Sequence, residues 1–391
     1  MKKIAFFVQC MLCGGVENAL LALSNELVNN GNNVTIYVLC EKGEFIKKIP
    51  TSVQLKTIPM NEKIRKDIPV GGTKVTVRNC IEEKKYFRAL KFAVKHKINK
   101  NSFSELNICL DKIPDLKEKY DIAVNFHMHS PFLVWYLSER VCADRKYTWI
   151  HNDFTTTKYN IVLLKKYLEC VDQFFAVSIK LKKEFINAIP EYLTKTQVAL
   201  NIVPVNEILK KAEEFYPEEY KGVTGLKILT VGRLEEQKGY DFVIEICKKL
   251  KKVGYKFTWY VLGDGTLRNK LAKIIANSEL SDCLYFLGSK ENPYPYFKNC
   301  DLYVQTSRHE GYVTTVTEAK IFHRPIVTTD VSGAREQIKD CINGEISSIN
   351  TDDIYAKVRK LFENPIIREK YSIELSNEEI YKIGNWITWF K

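Results

Sequence analysis

Two glutamates, Glu310 and Glu318, form the pattern with the clearest chemical meaning in this sequence. A short segment that contains Gly311 separates the first glutamate from a helical pattern over 316–322. The first turn of such a helix leaves backbone N–H groups without acceptors, and together with the helix dipole they favour a phosphate. The sequence predicts these donors on residues 314–316. We expect Glu318 to accept hydrogen bonds from vicinal hydroxyls, such as those of a ribose, and Glu310 to bind a second ring.

Other polar and basic side chains follow predicted strands. Arg233 and Lys238 flank a turn just past the strand at 226–231, and two cations of different geometry suit a diphosphate. Ligands of open α/β sheets bind at the carboxyl ends of the strands. The strand ends of the first half carry histidines as well, namely His127 and His129 after 120–126, and His151 with Asn152 after 147–150.

The elements that must position these residues repeat as buried strand, glycine or polar turn, and helix, which is typical of doubly wound α/β domains. In the first half the pattern predicts a strand at 4–8, a turn at Gly14-Gly15, a helix over 16–28 and a strand at 34–39. The second half repeats it with predicted strands at 226–231, 259–262, 285–287, 302–305 and 325–328.

A chain of 391 residues exceeds the usual size of one domain, so two are expected. The polar segment 204–225, with Pro217, predicts the junction. We therefore expect one Rossmann-like domain over 1–204, a second over 205–372, and a terminal helix over 373–391.

The net charge of +12 and the pI near 9.0 suit nucleic acid, an anionic membrane surface or anionic substrates. No helix-turn-helix, zinc-finger or RNP-like pattern supports nucleic acid. Residues 82–100 read as a basic amphipathic helix with Phe87, Leu90 and Val94 on its apolar side. Such a helix can lie on an anionic bilayer, or its apolar stripe can face a domain core; the sequence leaves both interpretations open.

The sequence predicts no metal or cofactor site. Cys10 and Cys13 form a Cys-x-x-Cys without a second pair, and His127-x-His129 lacks a third ligand. The apolar run at 4–8 is too short for a signal peptide, which predicts a cytoplasmic protein whose cysteines are reduced.

Six patterns in order resemble one family, the retaining sugar-nucleotide glycosyltransferases of the family-4 type with GT-B architecture. The patterns are Gly14-Gly15-x-Glu17, Gly232-Arg-Leu with Gln237-Lys-Gly239, Gly263-Asp-Gly265, Glu310-x7-Glu318, Pro325-Ile-Val-Thr-Thr and Gly333-Ala-x-Glu336. The resemblance is strongest over 226–345. It implies two Rossmann-like domains that face each other across a cleft, with a terminal helix that crosses back to the first.

The resemblance also implies roles for particular residues. It makes His127, Glu310, Arg233 and Lys238 catalytic, with His129 as the alternative to His127 on the donor side. The donor-binding set is Gly14, Gly15, Arg233, Lys238, Gly263, Glu310, Gly311, Tyr312, Val313, Thr314, Thr315 and Glu318. The acceptor-binding set is His129, His151 and Asn152. Many members carry an aromatic residue and glycine after the Glu-Gly pair, whereas this chain has Tyr312-Val313-Thr314-Thr315, which leaves the donor sugar open.

The function implied is transfer of a hexose or N-acetylhexosamine from a nucleotide sugar, a UDP-sugar, to a glycan or lipid-linked acceptor. The setting would be capsule, O-antigen or other cell-surface polysaccharide synthesis, with retention at the anomeric carbon and no obligatory metal. The protein would be cytoplasmic and peripheral on the inner membrane face, with 82–100 as the contact. The alternatives are a GT-B sugar-nucleotide epimerase or phosphorylase, and a non-catalytic basic protein that binds membrane or nucleic acid.

Overall fold

The computed structural model describes most of the chain. The described residues are 1–12, 14–68, 110–152, 154, 161–378 and 385–390, together with isolated positions between 77 and 94. Most of the helix predicted over 82–100 therefore lies outside the described residues, as does Cys13.

The chain divides into two compact units. The first comprises residues 1–177, 181–200 and 385–391, and the second comprises residues 178–180 and 201–384. Each unit contains one sheet whose paired strands are all parallel.

The first sheet has seven strands in the order β3-β2-β1-β4-β5-β6-β7. The strands are β1 (Lys3–Val8), β2 (Asn33–Val38), β3 (Gln54–Thr57), β4 (Lys119–Asn125), β5 (Cys142–Ile150), β6 (Gln173–Ala176) and β7 (Thr196–Val198). The helices are α1 (Gly15–Asn29), α2 (Glu62–Asp67), α3 (Pro131–Glu139), α4 (Ile161–Leu168) and α5 (Ile179–Ala188).

The apolar runs of the central strands explain their position in this sheet. Residues 4–8 of β1 are all buried, as expected for a strand covered on both faces. The last residues of the chain complete the core of this unit, because Phe390 packs against Phe6 and Trp149 with ring centroids 6.2 and 6.4 Å apart. The backbone carbonyl of Trp389 accepts a hydrogen bond from the Tyr147 hydroxyl at 3.0 Å.

The second sheet has six strands in the order β10-β9-β8-β11-β12-β13. They are β8 (Leu226–Val231), β9 (Phe257–Leu262), β10 (Leu284–Phe286), β11 (Leu302–Gln305), β12 (Ile326–Thr329) and β13 (Glu345–Ser347). The helices are α6 (Val205–Ala212), α7 (Tyr240–Val253), α8 (Arg268–Ala276), α9 (Tyr294–Asn299), α10 (Thr314–Ile321), α11 (Ala334–Gln337), α12 (Thr351–Glu363) and α13 (Pro365–Ser376).

Helix α7 shows how the sequence builds this unit. Val243, Ile246, Cys247 and Leu250 recur at helical spacing and are all buried. The helix ends at Gly254, which has a φ of +89°. A Cβ built at this glycine would have no neighbouring atom within 4 Å, so the backbone conformation and not a close contact favours glycine here. This left-handed residue is a common helix C-terminus that glycine adopts without strain.

The end of the chain differs from the single helix predicted over 373–391. Helix α13 begins earlier, at Pro365, which is suited to the first helical position, and it ends at Ser376 with Asn377 as its cap. Residues 385–390 form a separate 3₁₀ turn, and 379–384 lie outside the described residues. Within the described part of the chain, none of the helices combines the length and the hydrophobicity that a membrane span requires.

Candidate functional site

Lys238 and Glu310 form an ion pair at the carboxyl ends of β8 and β11. The Lys238 Nζ lies 2.6 Å from the Glu310 Oε1, and only 14% and 11% of the two side chains are exposed. The Ser307 hydroxyl donates to the same oxygen at 2.6 Å. Among the described residues, the second oxygen, Oε2, has one long contact, of 3.5 Å from the Gln237 amide. The pair is thus fixed through one carboxylate oxygen, and the other oxygen has unused capacity to accept a hydrogen bond.

Arg308 holds the turn that carries Lys238 against the segment that carries Glu310. Its guanidinium donates to both carboxylate oxygens of Asp241, at 2.9 and 2.6 Å, and to the backbone carbonyl of Glu236 at 3.0 Å. A bidentate arginine–carboxylate pair fixes orientation as well as distance. The first turn of α7 is therefore tied to the residue two positions before Glu310.

Gly239 permits the close approach of these two segments. Its φ of +68° is left-handed, and a Cβ built there would lie 2.2 Å from the backbone carbonyl oxygen of Thr306. The Thr306 hydroxyl also donates to the Lys238 carbonyl at 2.8 Å. Only glycine fits both the backbone conformation and the contact.

The helix after Glu310 begins two residues earlier than predicted, at Thr314. The prediction of three available N–H donors is wrong for Val316, since its N–H donates to the Val313 carbonyl at 3.1 Å. Within the described residues, the N–H groups of Thr314 and Thr315 have no backbone or side-chain acceptor. These two N–H groups and the helix dipole remain available for an anion.

Glu318 lies one turn further along α10 and is in a different environment from Glu310. Among the described residues no hydrogen bond or ion pair reaches its carboxylate, and burial raises its pKa to about 8. A carboxyl group in this state has unused capacity for hydrogen bonds. Vicinal hydroxyls would supply the missing donors.

Two further predicted residues, Arg233 and Gly263, follow the carboxyl ends of β8 and β9. Arg233 is exposed, and its guanidinium makes no ion pair or hydrogen bond to the described residues, so its charge is available. A Cβ at Gly263 would lie 2.0 Å from the Gly232 carbonyl oxygen, so this glycine lets the ends of β8 and β9 approach. Both residues were predicted as donor ligands.

The remaining predicted donor residues between Gly311 and Thr315 contribute differently. Gly311 is buried and the Val313 side chain lies in the core, so their backbone alone is available. Burial raises the pKa of Tyr312 to about 12, and its ring packs against the Gly333 Cα. The Thr315 hydroxyl donates to Gln305 at 3.2 Å and is turned inward.

In the first unit, α1 begins directly at Gly15, with Gly14 as its N-cap. A Cβ at Gly14 would lie 2.5 Å from the Glu17 Oε2, so a side chain there would displace that carboxylate. Gly14 and Gly15 follow β1 as predicted. They belong to a different unit from the Lys238–Glu310 pair.

Three predicted histidines lie together at the ends of β4 and β5 in the first unit. The His127 and His129 ring centroids are 5.0 Å apart, and the His151 ring contacts Phe126 at 4.5 Å. Burial, with the neighbouring histidines, holds the pKa of His127 well below its usual value and lowers that of His151 to about 3. The His127 Nδ1 accepts from the Gln9 N–H at 3.2 Å, so the neutral ring carries its proton on Nε2. Asn152 follows at the strand end, half-buried.

Sequence analysis missed the residues that support Glu310. They are Gln237, Gln305, Ser307, Arg308 and Asp241, and only Gln237 stood within a pattern that carried the resemblance. A polar Gln305 at the end of an otherwise apolar strand was an available signal, because a buried amide requires hydrogen-bond partners.

Residues 212–375 match the family model described as glycosyl transferases group 1. This segment is therefore similar to the glycosyl transferases of group 1. The match covers less than half of the chain and includes Arg233, Lys238, Glu310 and Glu318. The predicted glycosyltransferase resemblance is thereby confirmed for this segment, while the family-4 type and retention at the anomeric carbon stay predictions.

The chain is similar to curated proteins over part of its length. It is 29% identical to an uncharacterized glycosyltransferase of Methanocaldococcus jannaschii over 45% of this chain and 44% of that protein. It is 27% identical to the N-acetylgalactosamine-N,N'-diacetylbacillosaminyl-diphospho-undecaprenol 4-alpha-N-acetylgalactosaminyltransferase of Campylobacter jejuni, over 45% of this chain and 47% of that one. In both cases the match covers less than half of the relative's length.

Similarity in structure extends over the whole chain. Anabaena HepE, solved in complex with UDP and glucose, superposes with a TM-score of 0.71 and 15% identity, covering 100% of this chain and 99% of that one. At this identity the likeness shows the fold alone. The predicted GT-B fold is confirmed.

Glu318→Gln should change how the stability of the ligand-free protein depends on pH. The carboxyl pKa is about 8 in the folded state, above its ordinary value, so the folded protein keeps a proton that the unfolded chain has lost. Wild-type stability should therefore fall between about pH 5 and pH 8, and the variant should lack this loss. The measurement is the free energy of unfolding in urea at pH 5 and at pH 9. The difference in this free energy between the variant and wild type should be about 1–3 kcal/mol more favourable to the variant at pH 9 than at pH 5.

Glu363→Gln is the matched control for this measurement. The Arg359 guanidinium lowers the pKa of the Glu363 carboxyl, so that group is ionised in both states throughout the range. Its replacement should not alter the difference between pH 5 and pH 9. Parallel pH profiles for wild type and Glu318→Gln would contradict the raised pKa.

Proposed function

We propose that the protein is a retaining glycosyltransferase. It moves a hexose or N-acetylhexosamine from a UDP-sugar to a glycan or lipid-linked acceptor during cell-surface polysaccharide synthesis. The observation that carries this proposal is the Lys238–Glu310 pair, 2.6 Å long, in the same unit as two N–H groups at the start of α10 that have no acceptor among the described residues. The UDP bound to HepE, and the lipid diphosphate in the name of the Campylobacter relative, support the choice of substrates.

The second unit binds the diphosphate of the donor. Arg233 supplies a guanidinium that pairs with none of the described residues, Lys238 an ammonium, and Thr314 and Thr315 backbone N–H groups. Negative charge develops on the diphosphate as the sugar leaves, and donors already in position stabilise that charge most effectively. The two side chains carry positive charge and the two N–H groups are hydrogen-bond donors, so together they can stabilise the diphosphate as a metal ion would. We therefore propose that turnover needs no metal ion.

Glu310 binds the donor sugar and is not a nucleophile. Its Oε1 already accepts from Lys238 and Ser307, and Oε2 remains for a sugar hydroxyl. A glycosidase-like route would need a carboxylate pair flanking the scissile bond at set distances. Glu318, which lacks a donor among the described residues, takes the two ribose hydroxyls of the nucleotide.

The transfer step follows from these roles. The bond between the anomeric carbon and the diphosphate oxygen breaks, and its electron pair stays with the departing diphosphate. The acceptor hydroxyl oxygen bonds to the same face of the anomeric carbon, and its proton passes to the departing phosphate oxygen. Configuration at the anomeric carbon is retained without a covalent enzyme intermediate.

We propose that the first unit recognises the acceptor through His129, His151 and Asn152, and that His127 assists catalysis on the donor side. His127 is neutral with its proton on Nε2, so it can donate a hydrogen bond to a sugar hydroxyl. Gly14 and Gly15 would allow the start of α1 to approach a phosphate.

We also propose that the protein works at the inner face of the cytoplasmic membrane. The described positions of the 82–100 segment include Tyr86, Phe87, Leu90 and Val94, which are 64%, 86%, 61% and 46% exposed. Apolar side chains exposed next to Lys84 and Lys85 suit an anionic bilayer better than a domain core.

The proposed activity is tested by screening UDP-sugars for release of UDP by the purified protein, with and without EDTA. Glu310→Gln and Lys238→Ala should each lower turnover more than about 100-fold, because each removes a group that contacts the donor. The controls are Glu245→Gln and Lys248→Ala, which break an exposed ion pair of 2.7 Å on α7 and should leave turnover unchanged.

Three outcomes would contradict this proposal. Full activity in Glu310→Gln or Lys238→Ala would remove the site assignment. Loss of turnover in EDTA that Mg²⁺ restores would remove the metal independence. A protein that neither hydrolyses any UDP-sugar nor gains thermal stability with UDP would not be the enzyme proposed.

His151→Ala tests the acceptor role. With lipid-linked acceptors the variant should raise the acceptor KM about tenfold or more, and it should leave hydrolysis of the donor in water unchanged. His323→Ala, a change in the second unit, serves as the control. An equal loss of donor hydrolysis and transfer in His151→Ala would place this histidine outside the acceptor site.

Membrane contact is tested by sedimentation with vesicles of anionic or neutral phospholipid. Wild type should bind the anionic vesicles, and Phe87→Asp with Leu90→Asp should reduce binding at least about tenfold, because buried apolar area and charge attraction are both lost. Ile366→Asp, at a side chain that is 81% exposed in the second unit, is the control. Equal binding by all three proteins would exclude this segment as the contact.

A further inference from the structure

A chain of buried hydrogen bonds leads from the core of the second unit to Glu310. The Tyr303 hydroxyl donates to the Gln305 Oε1 at 2.6 Å, the Gln305 Nε2 donates to the Ser307 Oγ at 2.6 Å, and Ser307 donates to Glu310 at 2.6 Å. The Thr315 hydroxyl joins at the Gln305 Oε1, at 3.2 Å. These five residues are called the Gln305 relay below.

The direction of each bond follows from the charge at one end. Glu310, as a carboxylate beside Lys238, can only accept hydrogen bonds. The single hydroxyl proton of Ser307 must therefore point to Glu310, because two acceptors without a proton would repel each other at 2.6 Å. Ser307 then accepts from Gln305, which requires the amide nitrogen of Gln305 to face it.

The other end of the Gln305 amide is fixed by two hydroxyl donors. Its oxygen accepts from both Tyr303 and Thr315, so a reversed amide would lose both bonds as they stand. Gln305 is 1% exposed and Ser307 is fully buried, so water cannot replace a lost partner without cost. The relay thus has one arrangement in which every polar group is satisfied.

This arrangement decides how Glu310 meets a ligand. Oε1 accepts from both Ser307 and Lys238, whereas within the described part of the chain Oε2 has one contact, of 3.5 Å with Gln237. Thr315, at the start of α10, links the same amide to the helix turn proposed to bind phosphate. The Thr315 hydroxyl thus orients the Gln305 amide, while the Thr315 backbone belongs to α10.

We propose that Gln305 is a positioning residue for donor-sugar recognition, acting through Ser307 to hold Glu310 with Oε2 directed to one sugar hydroxyl. This inference rests on the proposed glycosyltransferase function. Gln305 and Ser307 then contribute to binding of the sugar and not to binding of the nucleotide. Loss of the relay should therefore weaken a UDP-sugar more than it weakens UDP.

The experiment compares the Kd of UDP with the Kd of the UDP-sugar preferred by wild type, by calorimetry, and adds kcat and KM for donor hydrolysis. Ser307→Ala removes the donor to Glu310. Gln305→Leu removes the amide while keeping a similar volume. Ser307→Thr keeps the hydroxyl and serves as the conservative variant.

Thr328→Val is the matched control. Thr328 is fully buried and pairs in register with Gln305 on the neighbouring strand, but its hydroxyl is not part of the relay. The substitution keeps the shape of the side chain and removes one buried hydroxyl. It should leave both Kd values and turnover unchanged.

The relay predicts that Ser307→Ala and Gln305→Leu bind UDP within about twofold of wild type and bind the UDP-sugar at least about tenfold more weakly, as expected for a lost bond to a charged group. Ser307→Thr should recover most of the UDP-sugar affinity. Melting temperatures identify any variant that does not fold. If either Ser307→Ala or Gln305→Leu does not fold, the binding data of the remaining one decide the test.

Unchanged UDP-sugar binding in Ser307→Ala or Gln305→Leu would overturn the relay while leaving the proposed function intact. An equal loss of UDP and UDP-sugar affinity would also overturn it, since that pattern indicates a general structural role. A wild-type protein that binds neither ligand would overturn the proposed function and this inference with it.

Discussion

The ion pair between Lys238 and Glu310 is the interaction on which the candidate site of the second unit depends. Two charges that are mostly removed from water lose solvation, and their attraction offsets that loss only when hydrogen bonds satisfy the remaining atoms. The surroundings meet this requirement, because Ser307 donates to one carboxylate oxygen while Arg308 and Asp241 fix the backbone on either side. Breaking the pair by removal of one partner would leave a poorly solvated charge.

The strand order explains why these residues meet. The second sheet runs β9-β8-β11-β12, so the sequence order is interrupted between β8 and β11. Ligands of open α/β sheets bind where the strand order reverses. Lys238 follows β8 and Glu310 follows β11. The first sheet is interrupted between β1 and β4, and there Gly14 follows one strand and His127 the other.

Much of this could be predicted from local sequence, since apolar runs and glycine turns depend on neighbours in the chain. Strand β8 was predicted with its observed bounds, Leu226–Val231. The contact between Lys238 and Glu310 was not predicted, because it depends on the pairing of β8 with β11, which local patterns do not report. The Gln305 relay was not predicted for the same reason, because local patterns do not report which side chains meet in the folded unit. The start of α10 was misplaced because β-branched residues at 314–317 weaken the helical pattern.

The two glutamates of the E-x7-E pattern show why spacing alone does not assign a role. Glu310 has a cation and a hydroxyl on one oxygen, so its charge is stabilised before any ligand arrives. Glu318, in helix α10 that follows, has no donor among the described residues, and burial raises its pKa. A ligand that brings hydroxyl donors stabilises the ionised form of Glu318 directly, whereas at Glu310 it uses an oxygen that is already oriented. The environments separate the roles, and the cation that defines the environment of Glu310 comes from a segment distant in sequence.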